Sequence, residues 1–410
     1  MPNRYFPFKY LSAATHSSSN GSCANWYSTI FQHRVDDTKL FGLYQIVDED
    51  VEIPNLKIVN VFDGVENPYA KLVPDQQIAI VPSFRLEAGA TLLQVPVAYM
   101  TYGTLDRSRS NAVVVCHAFT GNADVQQWWS PLLGSGGNEV LDTMGGMHVL
   151  EFAYFGPQYV RTIIPIATSS QCSAWCIGWS EAQRQCIFSD CKYDYGYYEF
   201  SDPPSCGLGA ARMNAMLTYR SKASFDDRFG RRKLEGELAP RTTGGDETVK
   251  LYTHHDGHKN GRGHSSGQDL PKKRNPDAPS LGCEVRQVER HDTCYLAQSY
   301  LRYQSEKFVR RFDANCYIAI TRKLDTHDIA RDRASTAKEA LRMIQQPALI
   351  LGIPNDGLFT YQEQCDLSAA IPNAHFETVH SRSGHDGFLL EHDQINHALK
   401  KFIRRELSDI

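Results

Sequence analysis

The sequence QPALILGIPNDG, from Gln346 to Gly357, is a short apolar run that ends in a turn with an acidic residue. NAVVVC at residues 111–116 and VRTIIPIATS at residues 160–169 have the same design. Short apolar runs separated by helical stretches are typical of strands buried on both faces of a parallel sheet. The sequence therefore predicts an α/β fold with a mostly parallel sheet, preceded by an alternating β-hairpin at residues 78–102.

Composition divides the chain into four regions. Residues 1–65 are polar and predict a poorly ordered tail. Residues 66–170 and 311–410 contain the predicted strands and form the two parts of the α/β core. Residues 171–310 are largely helical and predict a lid. An insert at residues 231–292 interrupts this lid, and it has too few aliphatic side chains to offset the entropy of ordering it.

The charge balance and the length of the apolar runs exclude two classes of partner. The 410 residues include 43 lysines and arginines and 47 aspartates and glutamates, so the formal net charge is −4. Nucleic-acid affinity depends on clustered positive charge, so no nucleic-acid partner is expected. A membrane helix needs roughly 20 apolar residues, far more than any run here, so no membrane partner is expected.

The eleven cysteines are scattered along the chain. This usage is typical of reduced cytoplasmic thiols and not of a disulfide framework. Cys172 and Cys176 have the closest spacing to a metal pair, but no second pair accompanies them, and no metal is expected. The serine-rich stretch before Asp36 resembles an organellar transit peptide, but it has only three strong bases. A cytoplasmic location is predicted, with a mitochondrial one as the alternative.

Two polar side chains follow predicted strands near the C-terminus. Asp356 comes after the run that ends at Ile353, and His385 lies in a glycine-flanked loop after a weaker run at residues 376–379. In open α/β sheets the working residues lie beyond the carboxyl ends of strands. An acid followed about thirty residues later by a histidine also fits the order Ser, Asp, His of α/β hydrolases. Taken singly, a capping aspartate and a loop histidine explain these residues as well.

The nucleophile of such a triad is harder to find. The one G-x-S-x-G match contains Ser265, but its flanks are charged and glycine-rich where a strand and a helix are needed, so we regard it as a chance match. LDTMGGMHVLEFAYFG, at residues 141–156, is a better strand-to-helix turn because two glycines permit close packing and a helical pattern follows. In this stretch Thr143 stands at the nucleophile position, directly before Met144.

Several long stretches together carry a family resemblance. They are VAYMTYGTL, VCHAFTGNADVQQWW, MGGMHVLEFAYFG, GLGAARMNAMLTYRS, NDGLFTY and GHDGFLLE. From about residue 68 to its end, the chain closely resembles the fungal homoserine O-acetyltransferases of the α/β-hydrolase superfamily. The resemblance implies a transferase of methionine biosynthesis that uses acetyl-CoA as co-substrate and no bound cofactor. It would move the acetyl group to the hydroxyl of L-homoserine through an acetyl-enzyme, by a ping-pong route.

The resemblance also implies roles for individual residues. His385 would be the general base and acid, and Asp356 would orient its imidazole. The main-chain N–H groups of Phe119 and Met144 would form the oxyanion hole.

Two further residues would bind the amino-acid acceptor. Arg212 would hold its carboxylate, which suits a guanidinium fork, and Asp386 would hold its ammonium group. The resemblance further implies a homodimer.

The chain departs from the family at the turn that carries the nucleophile. The family has GGSMGGM, this chain has LDTMGGM, and the family's LDT-like segment lies well upstream. We infer that two strands with their loop and helix have been lost between Thr143 and Met144. The sheet should then be incomplete with exposed apolar edges, and the covalent route should be lost. Two alternatives stay open: a serine or secondary-metabolite O-acetyltransferase, and a catalytically dead paralogue that only binds.

Overall fold

The computed structural model describes residues 57–62, 67–86, 89–105, 107, 111–117, 119–133, 145–233 and 295–407. Thr143, Met144, Ser265 and most of the predicted insert and tail lie outside these ranges. The chain divides into two compact units, of which the smaller is Asp226–Tyr303. Within the described ranges, no helix is long and apolar enough to cross a membrane.

The described residues form two sheets and a series of helices. The strands are β1 Lys57–Asn60, β2 Gln77–Arg85, β3 Thr91–Tyr99, β4 Ala348–Gly352 and β5 Ala374–Thr378. The α-helices are α1 Val125–Leu133, α2 Gly146–Ala153, α3 Ala174–Phe188, α4 Ser205–Tyr219, α5 Lys222–Phe229, α6 Leu296–Val309, α7 Ala314–Asp325, α8 Ala337–Arg342, α9 Tyr361–Ala370, α10 Gly387–Leu390 and α11 His392–Glu406. Short 3-10 helices lie at Pro68–Leu72, Asp194–Gly196 and Gly384–Asp386.

The first three strands form an antiparallel sheet in the order β1-β2-β3. β2 and β3 are the predicted hairpin, and Gln77 pairs with Tyr99 in its register. β1 pairs with β2 and lies inside the segment that the sequence assigned to a tail, so that prediction is wrong for residues 57–60. The reason is that its apolar side chains, such as Val59, pack with Ile78 on the neighbouring strand.

The parallel sheet is centred on β4. β5 pairs with β4 in parallel. On the other side, parallel bridges join Ile163 to Ala348 and Ile166 to Leu351. The predicted strand in residues 160–169 is therefore present in this sheet as two short bridges.

Both faces of the parallel sheet are covered, because successive β4 side chains enter different clusters. Leu349 and Leu351 pack in a cluster that includes the α11 residue Phe402. Ile350 packs in a second cluster that includes Leu150 of α2. All residues of β4 are buried, which confirms the predicted α/β arrangement with helices on both faces.

The run at residues 111–117 differs from this pattern and corrects the sequence analysis. It was expected to be a buried strand, but it forms no strand. Val113 is 51% exposed and Val114 66% exposed. Val115 packs partly against the cluster that contains β4, and Cys116 is buried. A β-branched run becomes a strand only where a neighbouring strand supplies hydrogen-bond partners.

The smaller unit contains the end of α5 and the start of α6. The rings of Phe229 and Tyr300 lie 4.7 Å apart, and Lys233 forms an antiparallel bridge with Tyr295. The helices α3, α4 and α7 belong to the larger unit. The boundaries predicted for a lid at residues 171–310 stay a prediction.

Candidate active site

The carboxyl ends of β4 and β5 bring Asp356 and His385 together. β4 ends at Gly352, and the N–H of Asp356 donates to the carbonyl of Ile353 in the following turn. β5 ends at Thr378, and His385 lies in the 3-10 helix beyond it. Because these strands are parallel neighbours, their ends meet, and Nδ1 of His385 lies 2.8 Å from Oδ2 of Asp356. Both residues are buried.

The carboxylate of Asp356 is fixed by donors on both oxygens. Oδ1 accepts hydrogen bonds from the N–H groups of Leu358, at 2.8 Å, and Phe359, at 3.0 Å. Oδ2 accepts a further bond from Nε2 of Gln364 at 3.3 Å. Gln364 is itself held, since its Oε1 accepts from the N–H of Ile353 at 2.7 Å. This network sets the direction from which Asp356 meets the imidazole.

The electrostatic environment makes His385 a base. Burial by itself disfavours the imidazolium, but the charge of Asp356 and its hydrogen bond outweigh burial, so the pKa of His385 is raised. The rings of Phe359 and Phe388 pack around the imidazole with centroids at 5.5 and 5.3 Å. With Nδ1 hydrogen-bonded to the carboxylate, Nε2 is the nitrogen that can exchange a proton with a substrate.

The two glycines at the start of α2 explain the predicted strand-to-helix turn. A Cβ added at Gly145 would lie 2.5 Å from Cβ of Cys116, and one at Gly146 would lie 2.6 Å from Cβ of Thr168. Neither position has room for a side chain. α2 therefore begins in close contact with the end of the 111–117 run and with Thr168, directly after the predicted nucleophile position.

The predicted oxyanion hole is only partly described. Phe119 lies just beyond the 111–117 run, and its ring packs against Tyr317 of α7, with centroids 4.8 Å apart, and against Phe312 at 6.3 Å. These ring contacts fix the side chain of Phe119 and so restrict the position of its main chain. Its partner Met144 and the nucleophile candidate Thr143 lie outside the described residues. The hole stays a prediction.

Arg212 has the features of a ligand-binding guanidinium. It lies on α4, with its guanidinium 4.8 Å from the ring centroid of Phe308 and 5.3 Å from that of Tyr219. Its Nε and Nη1 are buried and have no hydrogen-bond partner among the described residues. Unused buried donors are costly unless a ligand satisfies them. A carboxylate is the group whose shape fits them.

Asp386 directly follows His385 and completes the cluster. Its Oδ2 lies 3.7 Å from Nε of Arg220. Burial raises the pKa of Asp386, and the positive charges of His385, Arg220 and Arg212 oppose that rise. The structure therefore brings Asp356, His385, Asp386 and Arg212 into one electrostatic neighbourhood.

Sequence analysis missed three residues of this neighbourhood: Gln364, Arg220 and Cys176. Arg220 acts through Asp386, which lies far away in the chain, and Gln364 acts through side-chain bonds to the preceding turn that no motif marks. The Cys176 thiol donates to the carbonyl of Leu358 at 2.9 Å, and a hydrogen bond with Cys172 lowers the pKa of Cys176. In the described ranges, no group of three or more histidine, cysteine or acidic side chains is arranged to hold a metal.

Comparison with known proteins places this geometry in a family. A profile described as the alpha/beta hydrolase fold matches residues 143–392. The homoserine O-acetyltransferase of Emericella nidulans is 42% identical, over 88% of this chain and 92% of the relative. That of Saccharomyces cerevisiae is 40% identical, over 82% and 88%. The alignment with the Emericella protein runs over 461 positions, more than the 410 residues of this chain. The relative therefore contains residues that have no counterpart here.

Solved structures agree on the fold. Homoserine O-acetyltransferase from Bacillus anthracis matches with a TM-score of 0.59 at 17% identity, over 80% of this chain and 97% of that chain. Esterase E22 also matches with a TM-score of 0.59, at 14% identity, over 80% and 99%. These structures have different activities in their names, so they support the fold alone. The sequence identities to the curated relatives show that this chain belongs to the homoserine O-acetyltransferase family, an acyltransferase family with the α/β-hydrolase fold.

Proposed function

We propose that the site takes acetyl-CoA and L-homoserine and serves the transfer of an acetyl group to the homoserine hydroxyl. The buried Asp356–His385 pair carries this proposal, because a carboxylate-oriented imidazole is the base that hydroxyl acylation needs. Arg212 supplies unused donors for the acceptor carboxylate, and Asp386 supplies a negative charge for its ammonium group. The proposed reaction needs no metal and no cofactor beyond the co-substrate.

The proposed chemistry has two half-reactions. An enzyme hydroxyl attacks the thioester carbon of acetyl-CoA, Nε2 of His385 takes the hydroxyl proton, and the proton passes to the departing CoA thiolate. The homoserine hydroxyl then attacks the carbonyl carbon of the acetyl-enzyme while His385 takes its proton, the bond from the acetyl carbon to the enzyme oxygen breaks, and His385 returns the proton to that oxygen. Asp356 stabilises the imidazolium in both halves. The N–H groups of Phe119 and Met144 would stabilise each oxyanion.

The enzyme hydroxyl is the weak point of this scheme in the 410-residue chain. Thr143 stands at the position where the family has serine. The LDTMGGM junction and the exposure of Val113 and Val114 support a lost block between Thr143 and Met144. The long alignment with the Emericella relative shows that this chain lacks residues of the relative, without locating them. These observations favour a second candidate function, in which the chain binds the acceptor and does not turn it over.

The acceptor is proposed from the charges that face it. Arg212 and Asp386 together suit an α-amino acid, which carries one carboxylate and one ammonium group. These two charges do not distinguish acceptors by the length of their side chains, so L-serine is the comparison ligand for L-homoserine. We further propose a cytoplasmic homodimer, from the cysteine usage and the family resemblance.

The test measures binding and turnover on the same purified protein. We expect L-homoserine to raise the temperature of thermal unfolding more than L-serine does, because the site is intact at Arg212 and Asp386. Thiol release from acetyl-CoA is measured beside a His385→Ala variant. Release above that control establishes transfer by this chain, and protection without release establishes the binding function. Absence of both results would contradict the proposal.

A further inference from the structure

Arg220 lies next to Asp386 in an unusual geometry. Both side chains are mostly buried, at 10% and 16% exposure, and Nε of Arg220 is 3.7 Å from Oδ2 of Asp386. That separation permits an ion pair but is too long for a hydrogen bond. Nη1 of Arg220 donates instead to Oγ of Ser224 at 3.2 Å. Arg220 therefore places a positive charge beside the carboxylate without taking up a lone pair of Oδ2.

The main chain fixes this arrangement. The N–H of Ser221 donates to the carbonyl of Ser383 at 3.2 Å, and Oγ of Ser221 donates to the carbonyl of Arg382. Gly384 has a φ of 72°, and a Cβ there would lie 2.6 Å from N of Ser221 and 3.0 Å from the carbonyl carbon of Arg220. The end of α4 and the loop before His385 are thus in backbone contact. These main-chain contacts hold the backbones of the two segments side by side, within reach of the Arg220 side chain.

The charges around Asp386 give Arg220 a definite electrostatic task. Burial raises the pKa of the Asp386 carboxyl, and the nearby charge of Asp356 raises it further. His385, Arg220 and Arg212 lower it. A carboxyl that protonates cannot pair with an ammonium group. Of the three cations, His385 changes its charge during proton transfer and Arg212 is assigned to the acceptor carboxylate, which leaves Arg220 as the permanent counter-ion.

We propose that Arg220 is a positioning residue for the acceptor. It holds Asp386 in its ionised form and leaves the carboxylate oxygens open to the ammonium group of an amino acid held by Arg212. This inference rests on the proposed amino-acid site. Arg220 takes no direct part in acetyl or proton transfer, because it acts only through Asp386.

The test is the pH dependence of L-homoserine binding, measured by titration calorimetry from pH 5.5 to 8.5. In the wild-type chain, affinity falls on acidification as Asp386 protonates. In Arg220→Gln the fall begins at a higher pH, and on further acidification the variant binds more weakly than the wild type, by up to tenfold for each unit by which the pKa of Asp386 has risen. The two proteins converge at pH 8.5. Arg220→Lys keeps the positive charge and restores most of the wild-type profile.

Two controls separate the possible failures. 4-Hydroxybutanoate has the carboxylate and hydroxyl of homoserine but no ammonium group, so Arg220→Gln should leave its weak binding unchanged. Arg405→Gln removes an exposed guanidinium on α11 that pairs with its neighbour Glu406 and should change nothing. Equal loss of homoserine affinity at every pH, or no loss, would overturn the role of Arg220. A wild-type chain that does not bind homoserine would overturn the proposed function instead.

Discussion

Two regions of this chain have similar sequences and different structures. ALILG at residues 348–352 and NAVVVC at residues 111–116 are both short apolar runs followed by a turn with polar residues. The first is a fully buried strand with parallel partners on both sides. The second is no strand, and Val113 and Val114 are exposed. The difference teaches that an apolar run states a preference for a sheet, while its neighbours decide whether a sheet forms.

The functional consequence follows the same division. At the carboxyl end of β4, the turn holds Asp356 against His385 with 2.8 Å between the paired atoms. At the end of the 111–117 run lies Phe119, whose predicted partner Met144 directly follows the inferred loss. The Asp356–His385 pair, which moves protons in the proposed reaction, is therefore assembled at the ends of paired strands. The part of the site that should carry the nucleophile adjoins the 111–117 run, which forms no strand with the described residues.

The largest predicted effect comes from restoring those neighbours. Inserting the corresponding segment of the Emericella relative between Thr143 and Met144 should pair the 111–117 run on its open sides. The amide hydrogens of residues 112–116 should then exchange slower by a factor of about 1,000 or more, since ladder amides exchange only through opening of the sheet. Hydrogen exchange with mass spectrometry checks this. The β4 amides are the internal control and should change little. Unchanged exchange at residues 112–116 would mean that the run does not lack a strand partner.

The next effect compares one side-chain truncation to alanine in β4 with one in the 111–117 run. Leu351→Ala should lower the free energy of unfolding by about 2–5 kcal/mol, because it opens a cavity in a fully buried strand. Val114→Ala should lower it by less than about 0.5 kcal/mol, because an exposed side chain leaves no cavity. Urea unfolding of both variants gives the two values. Similar losses would show that Val114 is buried in solution and that the two regions do not differ.

A third effect is a loss of stability in acid. It arises from His327, near the segment 163–168 at one side of the parallel sheet. His327 is buried, and its carbonyl accepts from the N–H of Cys172. Burial lowers the pKa of His327 to about 4. Since the unfolded chain binds this proton more readily, the contribution is complete above pH 6.5 and is lost as pH falls towards 4. Between pH 7.5 and 5 the loss is about 2 kcal/mol.

Urea unfolding at several pH values measures this loss. His327→Gln should reduce the loss by about this amount and leave the share of His148, whose pKa burial also lowers to about 4. His380→Gln, which changes an exposed histidine, should leave the whole loss in place. An equal acid sensitivity in wild type and His327→Gln would show that this histidine is not the group responsible.

The smallest effect tests the pair that carries the proposed function. Asp356→Asn removes the charge that raises the pKa of His385, so burial should then dominate and the pKa should fall below its ordinary value. The imidazole signal of His385 in an NMR titration reports this change directly. An Asp366→Asn variant, which removes an exposed carboxylate, should leave the pKa raised. A His385 pKa that does not fall in Asp356→Asn would show that the carboxylate does not control the imidazole.

Much of the fold follows from local pattern. The alternation in β2 and β3, the continuous apolar run of β4 and the glycine pair before α2 each depend on neighbouring residues, and each predicts the structure found. The sequence also predicts that Asp356 and His385 come together, because the carboxyl ends of parallel strands meet at one edge of the sheet. The errors have a non-local cause. β1 needs the edge of β2, and the 111–117 run needs strands that are not among its neighbours. Gln364 and Arg220 matter through contacts that no spacing encodes.

We propose, as the central claim, that this chain combines an acceptor and proton-transfer site with an incomplete nucleophile strand. The most direct measurement is thiol release from acetyl-CoA and L-homoserine, by the chain itself and by the chain with the restored segment, each beside its His385→Ala variant. The account predicts release near the His385→Ala level for the chain itself. The restored chain should be faster by about 1,000-fold or more, since a missing nucleophile forfeits the covalent route, and it should lose this gain with His385→Ala. Equal rates with and without the segment, or a gain that survives His385→Ala, would contradict it.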